Sequence, residues 1–178
     1  NFARLDFSSI SKPGFYRIAY AGDTSAEFAV DRNVWLEAIH SSLNFFYCQR
    51  CGFDVPGYHG ACHKDWCGFS GDEKKPIGYG WHDAGDLTEG WWRTAFGVWA
   101  MVSNIDNVEL WHDLKKKLEE EAMWGAEYLI RTTFSDGKHT SFAPQKFYSD
   151  NIPGNEDDNV TEAVMDPWEN VLGAATLL

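Results

Sequence analysis

The segment GYGWHDAGDLTEGWW, residues 78–92, places two aspartates, Asp83 and Asp86, directly after His82 and among Trp81, Trp91 and Trp92. Two readings meet there. Asp86-Leu87-Thr88-Glu89 has the form of a helix N-cap followed three residues later by a glutamate, just ahead of an amphipathic run. The other reading is a carboxylate pair in a sugar-binding cleft. Pattern alone favours the cap, because caps are far commoner than catalytic dyads. The two are compatible, since a carboxylate at a helix N-terminus is kept ionised by the helix dipole. An ionised carboxylate suits a general base or nucleophile and not a general acid. Gly85 permits a tight bend between the two aspartates. Trp81 lies off any helix and is the candidate for stacking on a sugar ring, whereas Trp92 and Trp99 fit a helical stripe and read as core.

Working outward, Trp92, Ala95, Trp99 and Val102 recur at helical spacing, with Thr88, Trp91 and Val98 widening the stripe. Upstream, DRNVWLEAIHSSLNFFY (31–47) sets Trp35, Ile39, Ser42 and Phe46 on one helical face after a cap at Asp31 or Asn33. A further helix reads from about Asn107 to Thr132, burying Trp111, Leu114, Leu118, Ala122, Gly125 and Leu129 and presenting KKKLEEE (115–121) to solvent. A last helix starts at Asp166 as N-cap, with Pro167 first and Glu169 third. Residues 48–86 and 133–165 show neither period, and loops that long in a compact domain are usually functional.

Residues 1–30 read as strands. Leu5 and Phe7 alternate with polar neighbours in RLDFSSI, and AGDTS (21–25) turns KPGFYRIAY into AEFAV. A hairpin and a flanking strand are too small to be stable alone. The segment therefore reads as the tail of a β-sandwich, and the chain reads as cut at both ends.

The chain's 178 residues suffice for a sizeable core. A formal net charge of −12 argues against nucleic-acid and anionic-membrane partners and is compatible with a neutral polysaccharide. Nine tryptophans in a chain that is 16% aromatic suit broad, flat surfaces. No apolar run approaches the length of a membrane span, and no signal peptide is visible.

All four cysteines fall between 48 and 67. Cys51, Cys62, His63 and His82 make up a candidate Cys2His2 zinc set, although the spacing is not that of a zinc finger. Two disulfides among Cys48, Cys51, Cys62 and Cys67 are the alternative, and Cys48 with Cys67 remains open as a pair. A metal on His82 would pin the loop that carries both aspartates and would be structural. The run SDNIPGNEDDN (149–159) gathers oxygen donors that suit calcium at Asp150, Glu156, Asp157 and Asp158; a solvated acidic loop is the plainer reading. His139, Phe147 and Tyr148 are candidates to line a substrate cleft.

FFYCQRCG (45–52), HGACH (59–63) and GWHDAGD (80–86), in that order, resemble glycoside hydrolase family 9. The resemblance is closest to the cellulase subgroup with an N-terminal immunoglobulin-like domain, and it extends over essentially the whole chain. It implies a mainly α fold: residues 32–178 as the N-terminal, incomplete part of an (α/α)6 barrel, after the last immunoglobulin-like strands at 1–31. It further implies inverting hydrolysis of β-1,4-glucosidic bonds in cellulose or related β-glucans by a secreted, periplasmic or cell-surface enzyme. Asp86 falls on the general-base position, Asp83 on the water-holding position, and Cys51, Cys62, His63 and His82 on the zinc ligands. The general acid is a glutamate beyond this chain, so these residues alone are expected to be inactive. Leu87-Thr88-Glu89 departs from the aromatic or polar and then basic residues expected after the motif, which bears on the substrate subsites. Exo-acting glucosidases and glucosaminidases of the same family, and a non-catalytic zinc-stabilised carbohydrate-binding module, are the alternatives.

Overall fold

The computed structural model describes residues 4–84, 88–108, 111–140 and 150–178, together with the strand Phe142–Ala143. The chain divides into two compact units, Asn1–Ser42 and Leu43–Leu178.

In the first unit, β1 (Gly14–Tyr16) is followed by β2 (Ala19–Tyr20), β3 (Asp23–Thr24) and β4 (Phe28–Val30). β2 and β3 form a hairpin over Ala21 and Gly22, whose φ angles of 50° and 94° are both positive, as the twist of a two-residue hairpin turn requires. β1 pairs antiparallel with β4, placing Phe15 opposite Ala29. The strand expected at RLDFSSI is a turn instead. The Asp6 carboxylate accepts both the amide and the hydroxyl hydrogen of Ser8, a local bond that competes with an extended backbone.

The next element, α1 (Leu36–Cys48), begins in the first unit and ends in the second. Its buried residues are Leu43 and Cys48; the expected stripe fails at Trp35 and Ser42, which are exposed.

The second unit continues with β5 (Trp66–Ser70), β6 (Glu73–Pro76), β7 (Glu89–Gly90), α2 (Trp91–Val102), α3 (His112–Arg131), β8 (Phe142–Ala143), β9 (Asn159–Glu162) and α4 (Pro167–Leu177). The region expected to be irregular thus contains a β5–β6 hairpin, turned at Gly71 with a φ of 57°. β9, at the end of the acidic run, pairs parallel to β5. β7 pairs antiparallel with β8.

α2 packs against α3 and α4. Its buried face carries Trp91, Thr94, Ala95, Gly97, Val98 and Met101. The expected stripe is therefore rotated by about one residue: Trp92, Trp99 and Val102 are exposed. Too many residues in α2 are apolar for its periodicity to single out one face. α3 follows its pattern, with Leu114, Leu118, Ala122 and Leu129 buried. The exception is Glu121, read as solvated but only 4% exposed.

Glycine sets the closeness of these helices. A Cβ on Gly125 of α3 would lie 2.4 Å from the Trp81 ring and 2.5 Å from Val98 of α2. One on Gly173 of α4 would lie 2.0 Å from Trp91. α4 begins as its sequence dictates, with Asp166 Oδ1 accepting from the amides of Trp168 and Glu169 and Pro167 in the first turn.

Candidate active site and metal centre

Two backbone segments are laid side by side before any side chain is considered. The amide of Cys51 donates to the Gly80 carbonyl (3.0 Å) and the amide of His82 to the Gln49 carbonyl (2.9 Å), with Arg50 opposite Trp81 as a bridge pair. This antiparallel contact brings Cys51 and His82 together. Cys62 and His63 arrive from the intervening loop, with His63 held at a φ of 53°, a left-handed conformation uncommon outside glycine.

The four donor atoms lie within 4.8 Å of one another. Cys51 Sγ is 3.8 Å from Cys62 Sγ and 2.9 Å from His63 Nδ1, and His82 Nε2 is 3.2 Å from His63 Nδ1 and 3.3 Å from Cys62 Sγ. A tetrahedral zinc with Zn–S of about 2.3 Å and Zn–N of about 2.0–2.1 Å sets S···S near 3.8 Å and N···N near 3.4 Å. The donor set fits zinc in kind, and the S···S and N···N spacings match, while Cys51 Sγ and His63 Nδ1 lie closer than the roughly 3.5 Å that these bond lengths give. The two sulfurs are far beyond disulfide length, and all four cysteines are free, so the disulfide alternative does not hold, including for Cys48 with Cys67. The Cys51 thiol, together with the His63 and His82 rings, holds the Cys62 thiol well below its ordinary pKa, while burial pushes that of Cys51 up. A thiolate in this position is what a metal ligand requires.

Asp83 follows His82 directly. Its amide donates to the Thr88 carbonyl at 2.9 Å. Its carboxylate accepts from the Thr88 hydroxyl on Oδ1 at 2.6 Å and from the Arg93 guanidinium on Oδ2. The Asp83 side chain is 8% exposed and the Arg93 side chain 44%. Asp86, the candidate general base, lies outside the described residues, as do Gly85, Leu87, Phe147 and Tyr148.

The cap expected at Asp86 does not hold. α2 starts at Trp91, and its N-cap is Gly90, which makes no side-chain cap. Glu89 serves no capping role and is instead fully buried, with Oε1 accepting from the Gly80 amide at 3.3 Å. Burial raises its pKa to about 8. Glu89 therefore ties the base of the 80–90 loop, while Asp83 and Thr88 close it higher up.

The two candidate sugar contacts are core residues. The Trp81 ring fits between Gly97 of α2 and Gly125 of α3, and its indole N–H donates to Glu121 at 2.8 Å. Arg50 forks onto the same carboxylate at 3.0 and 2.9 Å. A residue 4% exposed and enclosed on both faces has no face left for a sugar. His139 is fully buried, its ring 4.2 Å from that of Trp91 and its Nε2 2.5 Å from Glu169 Oε2.

The acidic run is only partly a cluster. Asp150 and Asp157 come together with Asp65, which arrives from just before β5. Asp158 faces the amides of Gly154 and Asn155, and Glu156 is exposed, so neither joins the cluster among the described residues. Sequence reasoning missed Asp65, Thr88, Arg93 and Glu121. For Arg93 a signal was available: a lone cation in an apolar first turn, beside an acidic motif.

The model of the family described as Glycosyl hydrolase family 9 matches residues 35–170. A curated cellodextrinase from Butyrivibrio fibrisolvens is 32% identical over 89 residues, covering 46% of this chain and 16% of the relative. Endoglucanase D from Acetivibrio thermocellus is 29% identical over 130 residues, covering 66% of this chain and 20% of the relative. The chain thus spans a fifth or less of the length of the curated relatives it matches. The crystal structure of a single-mutant thermostable endoglucanase from Alicyclobacillus acidocaldarius shares the fold at a TM-score of 0.62 and 20% identity, covering 97% of this chain and 36% of that one.

Proposed function

The chain belongs to glycosyl hydrolase family 9, and from that premise we propose that it carries the base side of an inverting β-1,4-glucanase active site. The observation that carries the reading is Asp83: a nearly enclosed carboxylate with a donor on each oxygen, next in sequence to a metal-type histidine. An ionised carboxylate has about four acceptor sites. Thr88 and Arg93 take two among the described residues, and a water hydrogen suits a third. Asp83 then holds the attacking water, and Asp86 removes its proton as the water adds to the anomeric carbon. A glutamate outside this chain protonates the leaving oxygen. Inversion needs about 6.5–9.5 Å between the acid and the base to admit that water.

Zinc on Cys51, Cys62, His63 and His82 would supply no chemistry to the reaction, because a closed four-ligand set leaves no position for substrate. Its work would be to pin His82 and, through it, Asp83. Calcium, where bound, would use Asp65, Asp150 and Asp157. The barrel portion at 32–178 and an immunoglobulin-like tail at 1–31 remain the domain reading, and an extracellular or cell-surface location follows from a polymeric substrate. No helix among the described residues is long and apolar enough to cross a membrane.

The relative named a cellodextrinase supports a second reading, action on short cello-oligosaccharides rather than on the polymer. Asp86→Asn in the full-length protein tests the main proposal. Loss of sugar release from a soluble β-1,4-glucan by about 10³-fold or more, with an unchanged melting temperature, is expected. Near-normal turnover would sink the base assignment. The anomer first released by wild type, read by NMR, must be α, and the product lengths separate the two substrate readings.

A further inference from the structure

We infer that Arg93 is a positioning residue for Asp83, fixing the plane of the carboxylate that holds the attacking water. The inference rests on the reading of Asp83 given above. Two side chains grip this one carboxylate. Arg93, in the first turn of α2, sends its guanidinium to Asp83 Oδ2, while the Thr88 hydroxyl takes Oδ1 at 2.6 Å. The carboxylate is therefore gripped from both oxygens and cannot turn about its own axis without breaking one contact. Gly90 supplies the space: a Cβ there would lie 3.0 Å from both Arg93 Nη1 and Asp83 Oδ2. Trp92 backs the cation, its ring centroid 5.0 Å from the guanidinium carbon.

A purely structural ion pair is the plainer alternative, and a loss of kcat with KM kept is what distinguishes a positioning role from it. The Arg93 side chain is 44% exposed and that of Asp83 8%, so the pair is half-buried and contributes to stability as well. It does fix orientation, because a planar guanidinium holds a carboxylate in a way an ammonium does not. Small misplacements of a group that orients a nucleophile cost about 10²-fold in rate.

The test uses the full-length protein acting on a soluble cello-oligosaccharide. Arg93→Ala is expected to lower kcat by about 10–100-fold with KM changed less than about threefold, since the contact acts on the water and not on ground-state sugar binding. Millimolar guanidinium should then restore kcat saturably by about tenfold, and Arg93→Lys should recover less than the added guanidinium does. An Arg93→Ala enzyme with wild-type kcat overturns the inference. So does a loss that guanidinium leaves untouched, or one seen only in KM. Should Arg93→Ala fail to fold, Arg93→Gln is read by the same criteria. A wild-type chain that releases no sugar removes the hydrolase reading and this inference with it, whereas an active wild type matched by Arg93→Ala removes this inference alone.

Discussion

Glu121 shows how much one side chain decides. Its carboxylate takes two hydrogen bonds from Arg50 and one from the Trp81 indole, and so connects α3 to the backbone segment that carries Cys51. In sequence it closes a run of charges that looks solvated, KKKLEEE. Its partner Arg50 lies 71 residues away, and no local pattern announces a pair so distant. Asp136 is the surface counterpart. The Ser70 hydroxyl first, and then Lys138, hold its carboxyl down at about 2. A folded-state value below the unfolded one stabilises the fold above the unfolded pKa of about 3.9 and loses that effect as pH falls through the folded value. Asp136→Asn should therefore melt below wild type at pH 6, with the gap narrowing below about pH 4. A gap independent of pH between 6 and 3 would count against this account.

At the scale of elements, legibility tracked the kind of signal. The start of α4 was readable, because Asp166 and Pro167 act on backbone groups within three residues of themselves. The stripe of α3 was readable because charged residues flank its apolar positions. α2 was legible as a helix but not in its orientation, since Trp91, Trp92, Phe96, Val98, Trp99, Met101 and Val102 ring it on all sides. Its buried face was chosen by the glycines opposite it, and those sit on other elements. The misread cap at Asp86 belongs here as well: Asp-x-x-Glu before an apolar run is the cap pattern, but Glu89 is drawn inward to the Gly80 amide. The α2–α3 crossing yields a sharp expectation. Gly125→Ala places a methyl where Trp81 and Val98 already lie, at 2.4 and 2.5 Å. Overpacking of this kind costs about 1–3 kcal/mol. The variant should unfold at lower urea with an unchanged m-value, and a midpoint equal to wild type would show that the crossing has slack.

At the scale of the whole molecule, the three ligand segments around residues 51, 62 and 82 belong to a region with little regular structure. Apart from β5 and its pairing with β6 and β9, the described residues between 48 and 84 are tied by contacts such as the bridge between Arg50 and Trp81, the Gly80–Glu89 bond and the Cys/His cluster. The cluster was legible in composition, because four soft donors rarely crowd into so short a stretch without a metal or disulfides. The spacing of the donor atoms, which composition does not carry, is compatible with a metal. A metal that binds the folded chain and not the unfolded one stabilises it by mass action, about 2.7 kcal/mol at a hundredfold excess over Kd. For a chain of this size that corresponds to roughly 5–10 °C in melting temperature. Treating the full-length protein with a strong chelator should lower its melting temperature, by less than that where the protein is longer, and one equivalent of zinc should restore it. Limited proteolysis should show new cleavage between residues 48 and 88 before α3 is cut, because α3 rests on packing and not on the cluster. Glucan hydrolysis should fall in parallel with that cleavage and recover with zinc, since His82 would no longer hold Asp83. Full stability and activity in protein shown by elemental analysis to contain no metal would separate the cluster from the loop it is placed to hold.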